Sequence, residues 1–325
     1  MDPNRIFTIK NKQEFDATAI SVFQYQYLNN PVYREFCRHV GKDPGVINTP
    51  SDIPFLPIEF FRKKQLSCSF ARPEIVFTSS GTTSSLPSTH LITDLNLYKQ
   101  SFRKGFELFY GDPKDYCILA LLPSYLERSG SSLVYMVQDL IKLGSHPQSG
   151  FYLKNLPTLA NHLRKLDDES TKTLLIGVSF ALLDLAEQHP MELKNTIIME
   201  TGGMKGQRKE LIREDLHRHI RQAFGLKSVH SEYGMTELLS QAYSKGEGVF
   251  YSPPWMEVFI RDTEDPLSLM EAGRTGGVNI IDLANLYSCS FIATQDLGRL
   301  CPGGGFEILG RFDNADIRGC NLMVL

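Results

Sequence analysis

The sequence has none of the features that mark a membrane-anchored, exported or disulfide-stabilised protein. No apolar run approaches the roughly 18 to 20 residues that a membrane span needs, and the first residues lack the uninterrupted apolar core of a secretory signal. The six cysteines are scattered without any CxxC pair, which disfavours both a zinc ribbon and a disulfide framework. We therefore expect a soluble protein of the reducing cytoplasm, without a membrane span.

Several catalytic signatures are missing as well. There is no GxSxG elbow of a serine hydrolase and no GK[ST] lysine of a Walker A loop. His217 and His219 lie two residues apart on a predicted helix, so they point to different faces, do not form a metal-chelating pair, and are predicted to be surface residues. The net charge of -3 gives no electrostatic reason to expect a nucleic-acid partner.

What is present is the composition of an ordinary globular protein: 325 residues, 42% hydrophobic and 22% charged, which is enough to bury a large core. From residue 75 onward, short β-rich runs alternate with helical patterns. This alternation predicts an α/β fold with a largely parallel sheet covered by helices. We also expect a helical N-terminal cap over residues 1–48, with a second helix beginning at Pro31, and a small β-rich lobe after residue 250.

The predicted strands are 75–77, 116–122, 173–176, 196–199 and 227–230. The predicted helices are 94–109, 131–142, 178–188 and 206–224, the last ending at a C-cap position occupied by Gly225.

A Ser/Thr-rich loop directly after the predicted strand 75–77 is the first candidate for chemistry. It comprises Thr78, Ser79, Ser80, Gly81, Thr82 and Thr83. Small residues let backbone N–H groups approach phosphate oxygens, and the hydroxyls add neutral donors that suit a polyanion. On composition alone, a phosphate loop and a flexible Ser/Thr linker explain the segment equally well.

A second candidate segment follows the predicted strand 227–230. It comprises Tyr233, Gly234, Met235, Thr236 and Glu237. An aromatic ring can stack on a nucleotide base, and a carboxylate can hold Mg²⁺ beside phosphates. Considered alone, the segment is better explained as a turn before a helix.

The third candidate pairs Asp296 with Arg311, which lies in a Gly-Arg-Phe-Asp segment further along the chain. One carboxylate can accept hydrogen bonds from both hydroxyls of a sugar, and an arginine offers a rigid fork of donors. Asp beside Gly is otherwise typical of a simple turn.

The order and separation of these three segments resemble those of the adenylate-forming acyl-CoA synthetases. Segments 122–136, 200–206 and 315–322 narrow the resemblance to the acyl-protein synthetase of bacterial bioluminescence fatty-acid reductases, the LuxE-like branch. The similarity runs from about residue 50 to the C-terminus. It implies the large N-terminal domain of the adenylate-forming fold, with a core over 49–309 and a short C-terminal segment over 310–325.

The resemblance also implies roles for individual residues. Residues 78–83 would wrap the ATP triphosphate, Thr236 would touch the α-phosphate, and Glu237 would bind Mg²⁺. Asp296 would hold the ribose hydroxyls with Arg311 beside it. Gly202, Gly203 and Tyr233 would line the adenine slot, and Gly234 and Met235 would also bind the nucleotide.

A cysteine near the C-terminus of the luminescence enzymes accepts the acyl group as a thioester before it passes to a reductase. Cys320 is placed like that residue, and the resemblance implies the same role for it. The alternative is a buried structural cysteine. We expect a thiolate here, since the thiolate is the nucleophilic form.

Two departures from the adenylate-forming pattern affect the predicted mechanism. The phosphate loop continues without the usual glycine and lysine, and we expect the mobile C-terminal lobe with its adenylation lysine to be absent. Another cation must then offset charge in the transition state. Lys205 is the candidate, and a solvated lysine at a helix start explains it equally well.

These observations predict an enzyme that uses ATP and Mg²⁺ to convert a carboxylic acid, expected to be a fatty acid, into acyl-AMP and then transfers the acyl group to a thiol. The expected partner is an acyl-CoA or fatty-acid reductase or an acyl carrier. One alternative is a ligase that resembles phenylacetate-CoA ligases, with coenzyme A or a carrier protein as direct acceptor. The other is a non-catalytic nucleotide-binding subunit that regulates a partner.

Overall fold

A computed structural model describes residues 2–69, 71–79, 86–123, 130–153, 155–202 and 212–312. The helices among them are α1 (Lys12–Asn29), α2 (Pro31–His39), α3 (Phe60–Lys63), α4 (Leu95–Tyr110), α5 (Ser132–Gly144), α6 (Leu156–Asp168), α7 (Ser179–Gln188) and α8 (Arg213–Phe224). None of these helices is long and apolar enough to cross a membrane.

The strands of the described residues form two larger sheets and one hairpin. They are β1 (Leu56–Pro57), β2 (Ile75–Thr78), β3 (Thr89–Ile92), β4 (Cys117–Leu121), β5 (Gly150–Phe151), β6 (Thr173–Gly177), β7 (Thr196–Thr201), β8 (His230–Tyr233), β9 (Ala242–Ser244), β10 (Val249–Phe250), β11 (Met256–Arg261), β12 (Gly276–Asp282), β13 (Phe291–Leu300) and β14 (Phe306–Arg311).

The first sheet is parallel from β5 to β8, in the order β5-β4-β6-β7-β8, and β9 joins it antiparallel. Strands β4 and β6 are buried along their whole length, as expected for a parallel sheet covered on both faces. The carboxyl ends of parallel strands meet at one edge, where ligands bind in open α/β sheets. Gly202 and Tyr233 therefore lie at the same edge, at the ends of β7 and β8.

The second sheet has the order β10-β14-β13-β12-β11 and is antiparallel, except that β1 pairs parallel to β13. Its central strands carry the third candidate pair. Asp296 on β13 lies directly opposite Arg311 on β14. Two residues fifteen positions apart in the sequence are thus neighbours because the chain reverses between them.

The N-terminal helices pack onto this second sheet. Asn30 ends α1 and caps α2, accepting from the backbone N–H of Tyr33, and Pro31 occupies the first turn of α2 as predicted. The buried Gln26 amide donates to the carbonyls of Asn285 and Leu286 in the turn between β12 and β13. These bonds fix the turn that later contributes to the candidate site. The predicted division into a cap, a core and a C-terminal segment stays a prediction.

Most of the predicted elements have counterparts within a few residues of their predicted bounds. The part of the predicted helix 206–224 before residue 212 lies outside the described residues. The strand predicted over 227–230 was wrong in its position, because β8 begins at His230 and includes Ser231 and Tyr233. The cause is that His230–Tyr233 pairs with both β7 and β9, and this tertiary pairing overrides the local turn signal. Helix α6 was not predicted, although Leu159, Leu163 and Leu166 form its buried face.

Candidate functional site

The β2–β3 hairpin carries the start of the Ser/Thr-rich loop. Thr78 and Thr89 pair across it, and the backbone N–H of Thr78 donates to the carbonyl of Gly130 at 2.8 Å. Ser79 and Ser88 close its open end through two bonds, one from Ser79 N–H to the Ser88 carbonyl and one from Ser88 N–H to the Ser79 hydroxyl. The hairpin is therefore held at its base, where the loop begins.

Gly130 is required by this arrangement. Its φ of +86° favours glycine, and a Cβ there would lie 3.0 Å from Thr78 Oγ1 and 3.3 Å from the carbonyl of Val76. The glycine thus lets the residues before α5 approach the strand that leads into the loop.

The segment after Tyr233 has neither helix nor strand structure through Glu237, and side chains from other elements hold it. His90 Nδ1 on β3 lies 2.8 Å from the Thr236 carbonyl, and Asn285 Nδ2 donates to the Glu237 carbonyl at 2.7 Å. Burial lowers the pKa of His90 to about 4, so its imidazole is neutral and Nδ1 is the donor to the carbonyl. The hairpin that carries the loop is thereby connected to Thr236.

A buried aspartate fixes two residues that follow shortly after the same segment. Asp282 at the end of β12 accepts from the backbone N–H groups of Leu239 and Ser240 at 2.7 and 2.9 Å, and from the Ser240 hydroxyl. Burial raises the pKa of this carboxyl, and the bonds it accepts act in the opposite direction. The chain after Tyr233 is thus positioned by groups from the second sheet and the hairpin.

Tyr233 connects the first sheet to the second. Its hydroxyl donates to Asp296 Oδ2 at 2.7 Å, and Arg311 Nε lies 3.2 Å from Asp296 Oδ1. The ring of Tyr233 also packs against Phe250 and Phe306, with ring centroids 5.8 and 5.7 Å away. The aromatic, the carboxylate and the guanidinium therefore form one group, held by a hydrogen bond and an ion pair.

Glu237 is buried at the end of this segment. Burial raises the pKa of its carboxyl, while a hydrogen bond from Ser88 and the charges of Arg311 and Arg62 act in the opposite direction. Ser88 closes the base of the hairpin, so Glu237 is close to the start of the Ser/Thr-rich loop. The described parts of all three candidate segments thus converge on one region.

The predicted residues that the structure describes are Thr78, Ser79, Gly202, Tyr233, Gly234, Met235, Thr236, Glu237, Asp296 and Arg311. Ser80, Gly81, Thr82, Thr83, Gly203, Lys205 and Cys320 lie outside the described residues. The structure places the described ones at the carboxyl ends of β7 and β8, on β13 and β14 of the second sheet, and at the hairpin, and their individual roles stay predictions.

Sequence reasoning missed the residues that hold the segment, namely His90, Asn285 and Asp282. Only their burial distinguishes them, and no sequence motif marks any of the three. The prediction that His217 is a surface residue was wrong. His217 is buried, with Nε2 3.7 Å from Glu200 Oε1 and 3.4 Å from the Ser231 hydroxyl, because its face of α8 packs on the sheet. His219 is exposed.

Comparison with known proteins assigns the chain to a family. The sequence profile of the family described as "Acyl-protein synthetase, LuxE" matches residues 2–124 and 160–325. The chain belongs to the LuxE acyl-protein synthetase family. A long-chain-fatty-acid–luciferin-component ligase of Vibrio harveyi is 26% identical over 339 residues, which cover 96% of this chain and 88% of that protein. The predicted LuxE resemblance and the prediction of a ligase-type enzyme are confirmed.

Solved structures show the fold of this LuxE-family chain. A 2-hydroxyisobutyryl-CoA ligase in complex with 2-HIB-AMP and CoA has a TM-score of 0.70 at 16% identity, covering 96% of this chain and 71% of that chain. ATP-bound MatB from Rhodopseudomonas palustris has a TM-score of 0.56 at 17% identity, covering 73% of this chain and 47% of that chain. The chain thus spans about half the length of MatB. The predicted α/β adenylate-forming fold is confirmed.

Proposed function

We propose that this protein uses ATP to activate a carboxylic acid as an acyl-adenylate. The observation that carries the proposal is the group formed by Arg311 with the buried Tyr233 and Asp296, which joins an aromatic ring to a carboxylate suited to a sugar. A ring that stacks on a base and a carboxylate that accepts from ribose hydroxyls are the two contacts that an adenosine needs. MatB has been solved with ATP bound, which is consistent with such a ligand in this fold.

In the first step a carboxylate oxygen of the substrate attacks the α-phosphorus of ATP. The bond between the α-phosphorus and the bridging oxygen to the β-phosphate breaks, and pyrophosphate leaves. Thr236, held at its carbonyl by His90, would donate to the α-phosphate, and residues 78–83 would donate to the other phosphates. Lys205 would supply a positive charge to the same phosphates. Preorganised donors are effective here because the segment is fixed before ATP binds.

Glu237 fits the requirements of a magnesium ligand. Mg²⁺ prefers oxygen ligands and is usually held by one or two carboxylates together with substrate phosphates. The carboxyl of Glu237 is buried, and burial has raised its pKa, so a divalent cation beside it would stabilise the ionised form. The ion would supply charge neutralisation at the phosphates.

The second step would transfer the acyl group to a thiol. A thiolate sulfur attacks the carbonyl carbon of the acyl-adenylate, the bond from that carbon to the phosphate oxygen breaks, and AMP leaves with the electron pair. We assign the thiolate to Cys320. A long-chain fatty acid is the substrate class that the name of the Vibrio harveyi ligase supports, and a fatty-acid reductase or an acyl carrier is the proposed receiver of the acyl group.

Exchange of labelled pyrophosphate into ATP, driven by a panel of carboxylic acids, tests the first step. We expect exchange with long-chain fatty acids, and we expect Asp296→Ala to lower its kcat/KM by about a hundredfold, because truncation leaves a buried donor unpaired. Asp168→Ala, at the exposed end of α6, is the matched control and should exchange like the wild type. Absence of exchange with every acid would instead favour a nucleotide-binding subunit.

A Cys320→Ser variant tests the second step, with Cys301→Ser as the matched control. We expect the serine variant at 320 to form acyl-AMP but not to retain a hydroxylamine-labile acyl group on the protein. The control should retain both activities. If Cys320→Ser still passes the acyl group onward at the wild-type rate, the acceptor is coenzyme A or a carrier, and Cys320 is not the thiol.

A further inference from the structure

Glu232 precedes Tyr233 and lies on the opposite face of β8 from it, outside every role assigned above. Its carboxyl is buried, and the Thr201 hydroxyl donates to its Oε2 at 2.5 Å. Thr201 and Glu232 are paired in the register of β7 and β8. The bond therefore joins the last residue of one strand to the penultimate residue of the next.

The other carboxyl oxygen is in contact with the turn that follows. A Cβ on Gly234 would collide with Glu232 Oε1, so the carboxyl lies directly against the backbone after Tyr233. On the β7 side, Thr201 is followed by Gly202, whose φ of +70° turns the chain out of the strand. Glu232 thus touches both chain segments that leave the sheet at the candidate nucleotide site.

We propose that Glu232 is a positioning residue for the nucleotide: its carboxylic acid, bonded to Thr201 and packed under Gly234, holds the ends of β7 and β8 at the spacing that places Gly202 and Tyr233 around the adenine. This inference rests on the proposed function, since it assigns an adenine to that slot. Glu232 does not contact the nucleotide in this role; it acts through Thr201 and Gly234.

The surroundings of Glu232 favour the protonated carboxylic acid. The titratable groups that interact with its charge are Glu200 on β7, Tyr98 and Tyr110 on α4, and Tyr243 on β9, and of these Glu200 lies on the other face of the sheet. Among the described residues, no cation lowers the pKa of Glu232. Burial raises the pKa of Glu232 to about 7, the hydrogen bond from Thr201 lowers it, and the charge of Glu200 raises it.

Ionisation of Glu232 should therefore weaken the contact that holds the ends of β7 and β8 together. A buried carboxylate without a neighbouring cation is stabilised by water that enters or by its own movement toward solvent. Either change alters the positions of Gly234 and of the end of β7. We expect nucleotide affinity to fall as the pH rises through about 7, the value at which Glu232 loses its proton. Glutamine has the same shape and keeps a hydrogen bond to Thr201, but it does not ionise.

The experiment measures the Kd of ATP by titration calorimetry for the wild type, Glu232→Gln, and Glu264→Gln as the matched control on an exposed turn. Because both proteins bind the same ATP, the ratio of the wild-type Kd to the Glu232→Gln Kd removes the titration of the nucleotide itself. We expect this ratio to rise at least about threefold between pH 6 and pH 8. The Glu264→Gln ratio should stay constant.

A second readout without nucleotide distinguishes titration from misfolding. The melting temperature of Glu232→Gln relative to the wild type should increase over the same pH range, because only the wild type loses a bound proton. If the wild type binds ATP but the Kd ratio does not change with pH, or if the difference in melting temperature does not change with pH, the proposed role of Glu232 is overturned and the proposed function is not. Absence of ATP binding by the wild type at every pH overturns the proposed function as well.

Discussion

Glu200 and Glu232 lie on neighbouring strands of the parallel sheet and are both buried, yet they face opposite sides of it. In the register of β7 and β8, Glu200 is opposite Ser231, and Thr201 is opposite Glu232, so alternation places the two glutamates on different faces. Burial acts to raise the pKa of both carboxyls. For Glu200 the contributions of His217, Arg213 and Ser231 outweigh burial, and its pKa falls below the usual 4.5. For Glu232 no such cation is present among the described residues, and its pKa rises to about 7.

Burial alone therefore does not determine whether a buried acid is charged. The face of the sheet covered by α8 supplies Arg213, whose Nε lies 3.1 Å from Glu200 Oε1, whereas the opposite face supplies tyrosines from α4 and β9. One carboxylate therefore belongs to a compensated ionic cluster, and the other is a hydrogen-bonding group that is protonated below about pH 7. Three substitutions test this contrast.

Arg213→Ala should have the largest effect. It leaves Glu200 buried without its main cation and removes the bond from Arg213 Nη1 to the Ile308 carbonyl, which ties α8 to β14. We expect the free energy of unfolding in urea to fall by about 3 kcal/mol at neutral pH. Arg218→Ala, which breaks an exposed ion pair with Asp215 on the same helix, should cost less than about 1 kcal/mol. Equal losses in the two variants would contradict the compensated cluster.

Glu200→Gln should have a smaller effect with a definite pH dependence. The folded pKa of Glu200 is lowered, so its ionised form contributes stability above the unfolded value near 4.5 and loses that contribution as the pH falls through the folded pKa. We expect Glu200→Gln to cost about 1 to 2 kcal/mol at pH 7, and the cost to shrink toward pH 4. Urea unfolding across this range measures it. A cost that grows on acidification would give Glu200 the opposite sign and remove the contrast with Glu232.

Thr201→Val should have the smallest effect. It keeps the shape of the side chain, removes the hydroxyl that donates to Glu232, and leaves a buried acid that is already neutral below pH 7. We expect a loss of about 1 kcal/mol near pH 6. Because the hydroxyl stabilises the carboxylate, the loss should grow as the pH rises through about 7, and Thr171→Val provides a control outside the pair. An unchanged unfolding curve at every pH would show that the bond contributes nothing.

The sequence predicted the strands, helices and polar segments that reflect local patterns. The buried runs of β4 and β6 and the cap at Gly225 are of this kind, since their apolar residues and turn residues are contiguous. Family resemblance assigned candidate roles to Tyr233, Asp296 and Arg311 before their contacts were known.

The contacts that position the site could not be predicted in the same way. His90 reaches Thr236 across 146 residues of chain, and Asn285 reaches Glu237 across 48. Such pairs depend on how the sheets and the hairpin pack, and no local pattern encodes that packing. The protonation state of Glu232 could not be predicted from the sequence either, because it depends on which face of the sheet this one side chain occupies.

The pairing of Asp296 with Arg311 depends on one extra residue in β14. On the side of the turn between β13 and β14, Gly298 pairs with Ile308. The next pair away from this turn is Leu297 with Gly310, so Leu309 is a bulge without a partner on β13. If Leu309 were paired like its neighbours, Gly310 would lie opposite Asp296. The side chain of Arg311 would then lie on the other face of the sheet from Asp296. Strand length, and not only side-chain chemistry, thus determines whether the carboxylate meets its arginine. Members of the family that share this pair should accept varied side chains at the bulge, whereas one residue inserted between Gly310 and Arg311 should separate the pair.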